Sequence, residues 1–215
     1  MISSSSDKNT VSIVDLGIQN ILSVENAFRT IGAEVRIVTT DVEIEDAHFL
    51  VLPGVGAYSS AVKKLSDTGL DVSIRRHALE KKKPLLGLCL GMQLLADASD
   101  EFGSHKGLGL IHGKVVKLVD QLPQFRVPNI GWRDVHHTGT SPLLPRAQNP
   151  SSYYHVHSFH FECENKQDVA AITNFGTQDI TSIVHRGNIF GAQFHPEKSQ
   201  EAGLNMLNVV LHNLK

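Results

Sequence analysis

The stretch Leu85-Leu86-Gly87-Leu88-Cys89-Leu90-Gly91-Met92-Gln93-Leu94-Leu95 constrains this chain more than any other. The apolar run Pro84 to Leu88 reads as a buried strand. It breaks at a glycine-flanked cysteine, and apolar residues return at helical spacing in Met92 and Leu95. Gly-x-Cys-x-Gly between a strand and a helix is the cysteine form of the nucleophile elbow. A nucleophile in so sharp a turn needs small neighbours two residues to either side. The following helix then aims its N-terminus at the thiol, which favours thiolate and oxyanion alike. Free cysteine is also among the most buried residue types, so the same residues fit a core cysteine with turn glycines.

Around this stretch the first half of the chain alternates strands and helices. Val11 to Asp15 is a short apolar strand. Asn20 can cap a helix with Ile21, Val24, Phe28 and Ile31 on its apolar face, closed by Gly32. Val35 to Val38 and Phe49 to Leu52 read as further strands. Pro53-Gly54-Val55-Gly56 follows, then helices near Ala57 to Leu65 and Val72 to Lys82. This pattern argues a parallel sheet wound on both faces, with ligands collecting at the carboxyl ends of its strands.

From Leu108 onward short β-rich runs dominate: Leu110 to Ile111, Val115 to Val119, Trp132 to His136, Tyr153 to Cys163, Val169 to Thr173, Ile180 to Val184 and Ile189 to Phe194. Ser141 to Pro150 reads as a surface loop, and Ser199 to Leu214 as a closing helix. The fold class is therefore α/β: a wound, mostly parallel sheet with flanking helices and an antiparallel β extension. Residues 1–10 read as a disordered polar tail without the apolar segment of a signal peptide, and 11–215 as a single domain. A formal charge of -2 leaves no electrostatic footprint for nucleic acid, and 41% apolar residues suffice for a sizeable core. Lys81-Lys82-Lys83 ends a helical segment and reads as a solvated face. Two cysteines make no disulfide framework, and no apolar stretch is long enough to span a membrane. These features predict a soluble cytoplasmic protein.

A cysteine nucleophile needs a base, and the base needs an orienting group. Among the twelve histidines, His195 stands out in Gln193-Phe194-His195-Pro196-Glu197-Lys198-Ser199. In an extended segment, residues two apart share a side, so Glu197 can accept a hydrogen bond from one ring nitrogen while the other takes the thiol proton. Pro196 stiffens the pair. The rival constellation is His155-Val156-His157-Ser158-Phe159-His160, where His-x-His on a strand raises a zinc site. No carboxylate or cysteine stands beside it at ligand spacing, and no metal is expected.

Pro53-Gly54-Val55-Gly56, Gly87-Leu88-Cys89-Leu90-Gly91-Met92-Gln93, Gly107-Leu108-Gly109-Leu110-Ile111, Gly131-Trp132, Val156-His157-Ser158 and the His195-Pro196-Glu197 motif occur in one order along the chain. In them the chain resembles the class I (triad) glutamine amidotransferases, and within these the glutaminase subunits of imidazole glycerol phosphate synthase. The resemblance runs from about Val11 to the C-terminus. It implies hydrolysis of L-glutamine through a γ-glutamyl thioester, without a cofactor. Cys89 would attack the side-chain amide, with His195, oriented by Glu197, passing the proton to the leaving ammonia. The backbone amides of Leu90 and Val55 would form the oxyanion hole. Gly54, Gly56, Gln93, Glu101, His157, Ser158 and Phe159 would hold the substrate. Ammonia would then be channelled to a (β/α)8-barrel synthase subunit in a heterodimer serving histidine biosynthesis.

Two stretches depart from the family pattern. Leu16-Gly17-Ile18-Gln19-Asn20 stands where Tyr-Gly-x-Gly-Asn is usual, and Pro128-Asn129-Ile130-Gly131-Trp132-Arg133 where Pro-His-Met-Gly-Trp-Asn is usual. In the family both lie toward the partner or its hinge, which assigns Asn20, Asn129 and Trp132 there. An alternative acceptor is a sugar-amidating enzyme of surface polysaccharide synthesis. A non-catalytic scaffold for the synthase is an alternative of another class. The glycines of the Gly54-Val55-Gly56 loop would permit a peptide flip, so one oxyanion donor could point away until the partner binds. On that reading, a β-branched residue at Gly54 would lower stimulated turnover more than basal turnover.

Overall fold

The computed structural model describes residues 9–17, 21–119, 123, 125–139, 143–144 and 150–213. The first half contributes β1 (Thr10–Val14), α1 (Leu22–Thr30), β2 (Glu34–Val38), α2 (Asp41–Asp46), β3 (Phe49–Leu52), α3 (Tyr58–Thr68), α4 (Leu70–Arg75) and β4 (Leu85–Leu88). A one-turn helix α5 (Leu90–Gln93) follows, then short strands β5 (Ala98–Ser99) and β6 (His105–Lys106). The remainder is β7 (Gly113–Lys117), β8 (Asn129–His137), β9 (Ser151–His157), β10 (Phe159–Cys163), β11 (Val169–Phe175), β12 (Gln178–Arg186), β13 (Ile189–Ala192) and α6 (Gln200–Asn213).

The described strands build a nine-stranded sheet in the order β2-β1-β3-β4-β13-β12-β11-β8-β9 and a four-stranded sheet in the order β10-β7-β5-β6. From β2 to β13 the pairing is parallel, and from β13 to β9 antiparallel. The antiparallel half is thus hydrogen-bonded into the parallel one, and β13 is the join. Pairing Gly191 with Gly87 and Ala192 with Leu88 brings the end of the chain beside the cysteine elbow.

Period-two alternation decides which side chains go to which face of the sheet. In β3, Leu50 and Leu52 join the core under α3 and α4 with Tyr58, Leu65 and Ile74. Phe49 and Val51 join the opposite core under α1 and α6 with Phe28, Leu207 and Val210. Phe28 meets Phe49 edge-on with ring centroids 6.3 Å apart, anchoring α1 to the sheet. No helix among the described residues is long and apolar enough to cross a membrane.

Several expectations shift. Thr10 already belongs to β1, so the polar tail ends before it; residues 1–8 lie outside the described residues, as do Gln19, Asn20 and Leu214. Helix α2 is an addition: Thr40 and Glu43 close a capping box, each side chain bonding the other's backbone N–H. With Ile44 its only buried residue, it shows no apolar periodicity. The helix expected to run to Lys82 passes after Arg75 into a wider π turn over Arg76–Glu80. Leu110 and Ile111 form no strand, and the run Tyr153 to Cys163 divides at Ser158 into β9 and β10. In the stretch read as a surface loop, Leu143 and Leu144 are buried against Val135 and Tyr153. An adjacent apolar pair gains more from the core than its proline-rich surroundings suggest.

Candidate active site

The elbow forms as the glycine spacing requires. Cys89 has φ 52 and ψ -109, a left-handed conformation rare for a residue with a side chain. The turn closes because its neighbours lack side chains. A Cβ on Gly87 would lie 2.5 Å from the Gly91 carbonyl oxygen, and one on Gly91 would run into the Leu52 carbonyl. The sheet supports the turn from the other side, where the Cys89 N–H donates to the Ala192 carbonyl at 2.8 Å. Helix α5 spans only Leu90–Gln93, so its dipole is weak beside that of a long helix, and support for the thiol must come mainly from neighbouring side chains.

His195 supplies one neighbour. Its Nδ1–H donates to Glu197 Oε1 at 2.8 Å, with both side chains almost wholly buried. The pairing was expected, but its geometry differs from the extended segment that suggested it: Pro196–Lys198 is a 3-10 turn that folds the carboxylate back onto the ring. Ser199, fully buried, clamps this turn. Its hydroxyl donates to the His195 carbonyl at 2.6 Å and accepts from the Tyr154 N–H at 3.0 Å. The other imidazole nitrogen, Nε2, is buried and makes no full hydrogen bond. Burial opposes charging this ring, but the Cys89 sulfur and the Glu197 carboxylate outweigh it and lift its pKa to about 10. Such a thiol, imidazole and carboxylate can pass a proton from sulfur to a leaving group. Cys163, by contrast, has its thiol pushed up to about 12 by burial and by Asp168, which makes it a poor nucleophile.

A pocket of about 680 Å³ opens over the sulfur, at the carboxyl ends of β3 and β4. It is one strand over from the reversal of strand order between β1 and β3. Val55, Gly56, Cys89, Leu90, Gln93, Glu101, His157, Ser158, Phe159 and His195 all line it. Burial raises the pKa of Glu101, outweighing the opposing influence of the Tyr58 backbone N–H. Gly54 is not among the residues that line the pocket.

Of the two amides expected to form the oxyanion hole, the Leu90 N–H donates to the Gly54 carbonyl at 3.3 Å and is thereby taken. Gly54 is required here by close approach: a Cβ would lie 2.8 Å from Leu90 Cβ and 2.9 Å from the Gly91 nitrogen. Positive φ belongs to Gly56 instead, at +100°.

The His-x-His pair shares a face, as the strand period requires, and its rings are held by hydrogen bonds. His157 Nδ1–H donates to the Phe159 carbonyl at 2.9 Å, so its Nε2 accepts from Asn129 Nδ2 at 3.1 Å and from His155 Nδ1–H at 3.2 Å. Burial holds both rings neutral, pushing His157 down to about 3. Among the described residues no group of three or more His, Cys, Asp and Glu is arranged to hold a metal ion.

Of the three positions assigned to the partner side, Asn20 lies outside the described residues. Asn129, the first residue of β8, is fully buried, and its side-chain oxygen accepts from Arg133 Nε at 3.0 Å. Alternation along β8 turns Asn129 inward and its neighbour Ile130 outward. Ile130 is 54% exposed and Trp132 44%, the latter edge-on to Tyr154.

Gln193 belongs to the histidine motif, where spacing alone assigns it no role. It is fully buried, and its Nε2 donates to Cys89 Sγ at 3.8 Å. A polar residue inside the apolar run Ile189 to Phe194 was the available signal. Phe102 and Val127, outside every motif named above, also line the pocket, as does Pro128.

The family model of Glutamine amidotransferase class-I matches residues 12–213. The chain is 42% identical over 203 residues to imidazole glycerol phosphate synthase subunit HisH 2 of Nitrobacter winogradskyi, covering 92% of this chain and 95% of that protein. It is 43% identical over 195 residues to imidazole glycerol phosphate synthase subunit HisH of Listeria innocua, covering 91% of each. Among solved structures, a glutamine amidotransferase superposes with a TM-score of 0.73 at 20% identity, covering 94% of this chain and 97% of the other. A second, from Thermotoga maritima, gives 0.70 at 15% identity, covering 95% and 97%.

Proposed function

The chain belongs to the class I glutamine amidotransferase family, and from that membership we propose a glutaminase in which Cys89, His195 and Glu197 hydrolyse L-glutamine to feed a synthase partner. One observation carries the reading: the strained Cys89 and the His195–Glu197 pair meet at the floor of a pocket large enough for an amino acid. Cys89 sulfur attacks the side-chain amide carbon. The C–N bond breaks as His195 Nε2 gives ammonia the proton taken from the thiol, leaving a γ-glutamyl thioester. Water, deprotonated by the same nitrogen, then releases glutamate. Glu197 keeps the ring in the tautomer and orientation this exchange needs.

Negative charge grows on the amide oxygen during attack, and the Leu90 N–H is the donor nearest at hand. While that N–H is bonded to Gly54 the hole lacks a donor, which costs on the order of 10² to 10³ in rate. The isolated chain is therefore a slow glutaminase. The partner accelerates it by drawing the Gly54-Val55-Gly56 segment off the Leu90 N–H, through Val55, which is 37% exposed at the pocket mouth. The exposed Ile130 and Trp132 are assigned to the partner side as well.

The names of the relatives support imidazole glycerol phosphate synthesis as the use of the ammonia, with a (β/α)8-barrel synthase subunit as the partner. They favour neither sugar amidation nor a scaffold. The test is Cys89→Ala. Glutamine-dependent synthesis by the complex should vanish while ammonia-dependent synthesis persists, since the acceptor site makes no use of this thiol. A diazo-ketone glutamine analogue should label Cys89; an adduct on Cys163 would overturn the assignment.

A further inference from the structure

Gln193 is the other polar side chain on the nucleophile, and its environment dictates which way its amide points. The Phe159 carbonyl can only accept, so the atom of Gln93 that bonds it at 3.0 Å must be the NH2 group. The same nitrogen lies 3.0 Å from the Gln193 side chain, which must therefore offer its oxygen. That leaves the Gln193 NH2 facing Cys89 Sγ, 3.8 Å away. The orientation is thus transmitted from a backbone carbonyl through two buried amides to the sulfur. Gln193 is fully enclosed, so water cannot replace it.

We propose that Gln193 is a positioning residue for the nucleophile: its amide donates to the Cys89 thiolate and holds the sulfur toward the pocket, locked in that orientation by Gln93. The proposal rests on Cys89 being the nucleophile. It adds that Gln93, at the substrate pocket, also governs the polarity of the contact behind the sulfur. A donor to a charged acceptor is worth about tenfold to a hundredfold in the charged population, and a one-turn helix leaves that role open.

The ionisable groups around the sulfur are His195 with Glu197 behind it, and Asp100, Glu101, Lys117 and His157 around the same pocket. A Gln193 substitution leaves all of them in place. The experiment is iodoacetamide alkylation of Cys89 as a function of pH, with steady-state kinetics of the full complex, for Gln193→Met and Gln193→Glu. Met keeps the volume and removes the donor; Glu keeps the shape and an acceptor for Gln93 but sets a carboxylate against the sulfur.

In Gln193→Met the pH of half-maximal alkylation should rise by about one unit or more, and kcat should fall at least about tenfold with KM changed much less. Gln193→Glu should move the midpoint further in the same direction. Midpoints matching the unsubstituted protein in whichever variants fold, even with lowered stability, would reduce Gln193 to a packing residue and overturn the proposal. That failure is distinct from failure of the nucleophile assignment. In the latter case glutamine would not protect Cys89 of the unsubstituted protein from alkylation, and Cys89→Ala would retain glutaminase activity.

Discussion

Gly54→Ala should make the isolated chain a faster glutaminase. The closed site rests on one hydrogen bond, from the Leu90 N–H to the Gly54 carbonyl at 3.3 Å, worth about 0.5–1.5 kcal/mol net. A methyl at Gly54 would meet Leu90 Cβ at 2.8 Å and the Gly91 nitrogen at 2.9 Å. Both atoms belong to the elbow and cannot swing aside. Overpacking of this kind costs about 1–3 kcal/mol, which offsets the bond and shifts the segment toward the open form by about one to two powers of ten. A recovered oxyanion donor is worth roughly 10² to 10³ in rate, so basal turnover should rise about tenfold or more. Stimulated turnover, already open, should change much less. The assay is steady-state glutamate release with and without the synthase partner and its ligand, with Cys89 alkylation checking that the elbow survives. An unchanged ratio of stimulated to basal turnover would refute the reasoning. So would a ratio that falls only through lost stimulated activity, the outcome expected if glycine is needed solely for the flip.

Ser199→Ala should cost about 0.5–1.5 kcal/mol in stability, read as a shift in the denaturation midpoint, because it removes the acceptor of the part-buried Tyr154 N–H. The same substitution should lower kcat by loosening the turn that carries His195 and Glu197. Acid should destabilise the protein through the neutral histidine pair. Burial holds the folded pKa of His157 down at about 3 and that of His155 well below its ordinary value. Both rings take up protons in the unfolded chain below about pH 6.5. Their contribution is therefore full above about pH 6.5 and is lost as pH falls toward the folded values, at up to about 1.4 kcal/mol per pH unit for each ring. Denaturation midpoints of the unsubstituted protein and His157→Gln at pH 7 and 5.5 test this; equal slopes would contradict it.

Short-range features were legible without coordinates. The elbow needs only Gly87 and Gly91 around Cys89, because the clash that forbids a side chain arises where the chain turns back on itself. The parallel half was readable because alternating apolar runs and helical spacing are local periodicities. Helix α2 was missed although its capping box, Thr40 and Glu43, was in view, since six residues with one buried side chain set no period. Leu143 and Leu144 were read with their proline-rich neighbours, yet their burial depends on Tyr153 and Val135.

The sequence by itself therefore determined the class of fold, the strained cysteine and the histidine–glutamate pair, because each is encoded within a few residues by sterics or spacing. Only the tertiary structure decided that the Leu90 N–H is taken, that Asn129 is buried and that Gln193 faces the sulfur. Gln93 and Gln193 are 100 residues apart in the chain and bond because β13 lies beside β4. Hydrogen-bond direction at such a site follows from which strands become neighbours, and that is settled by the packing of the whole sheet.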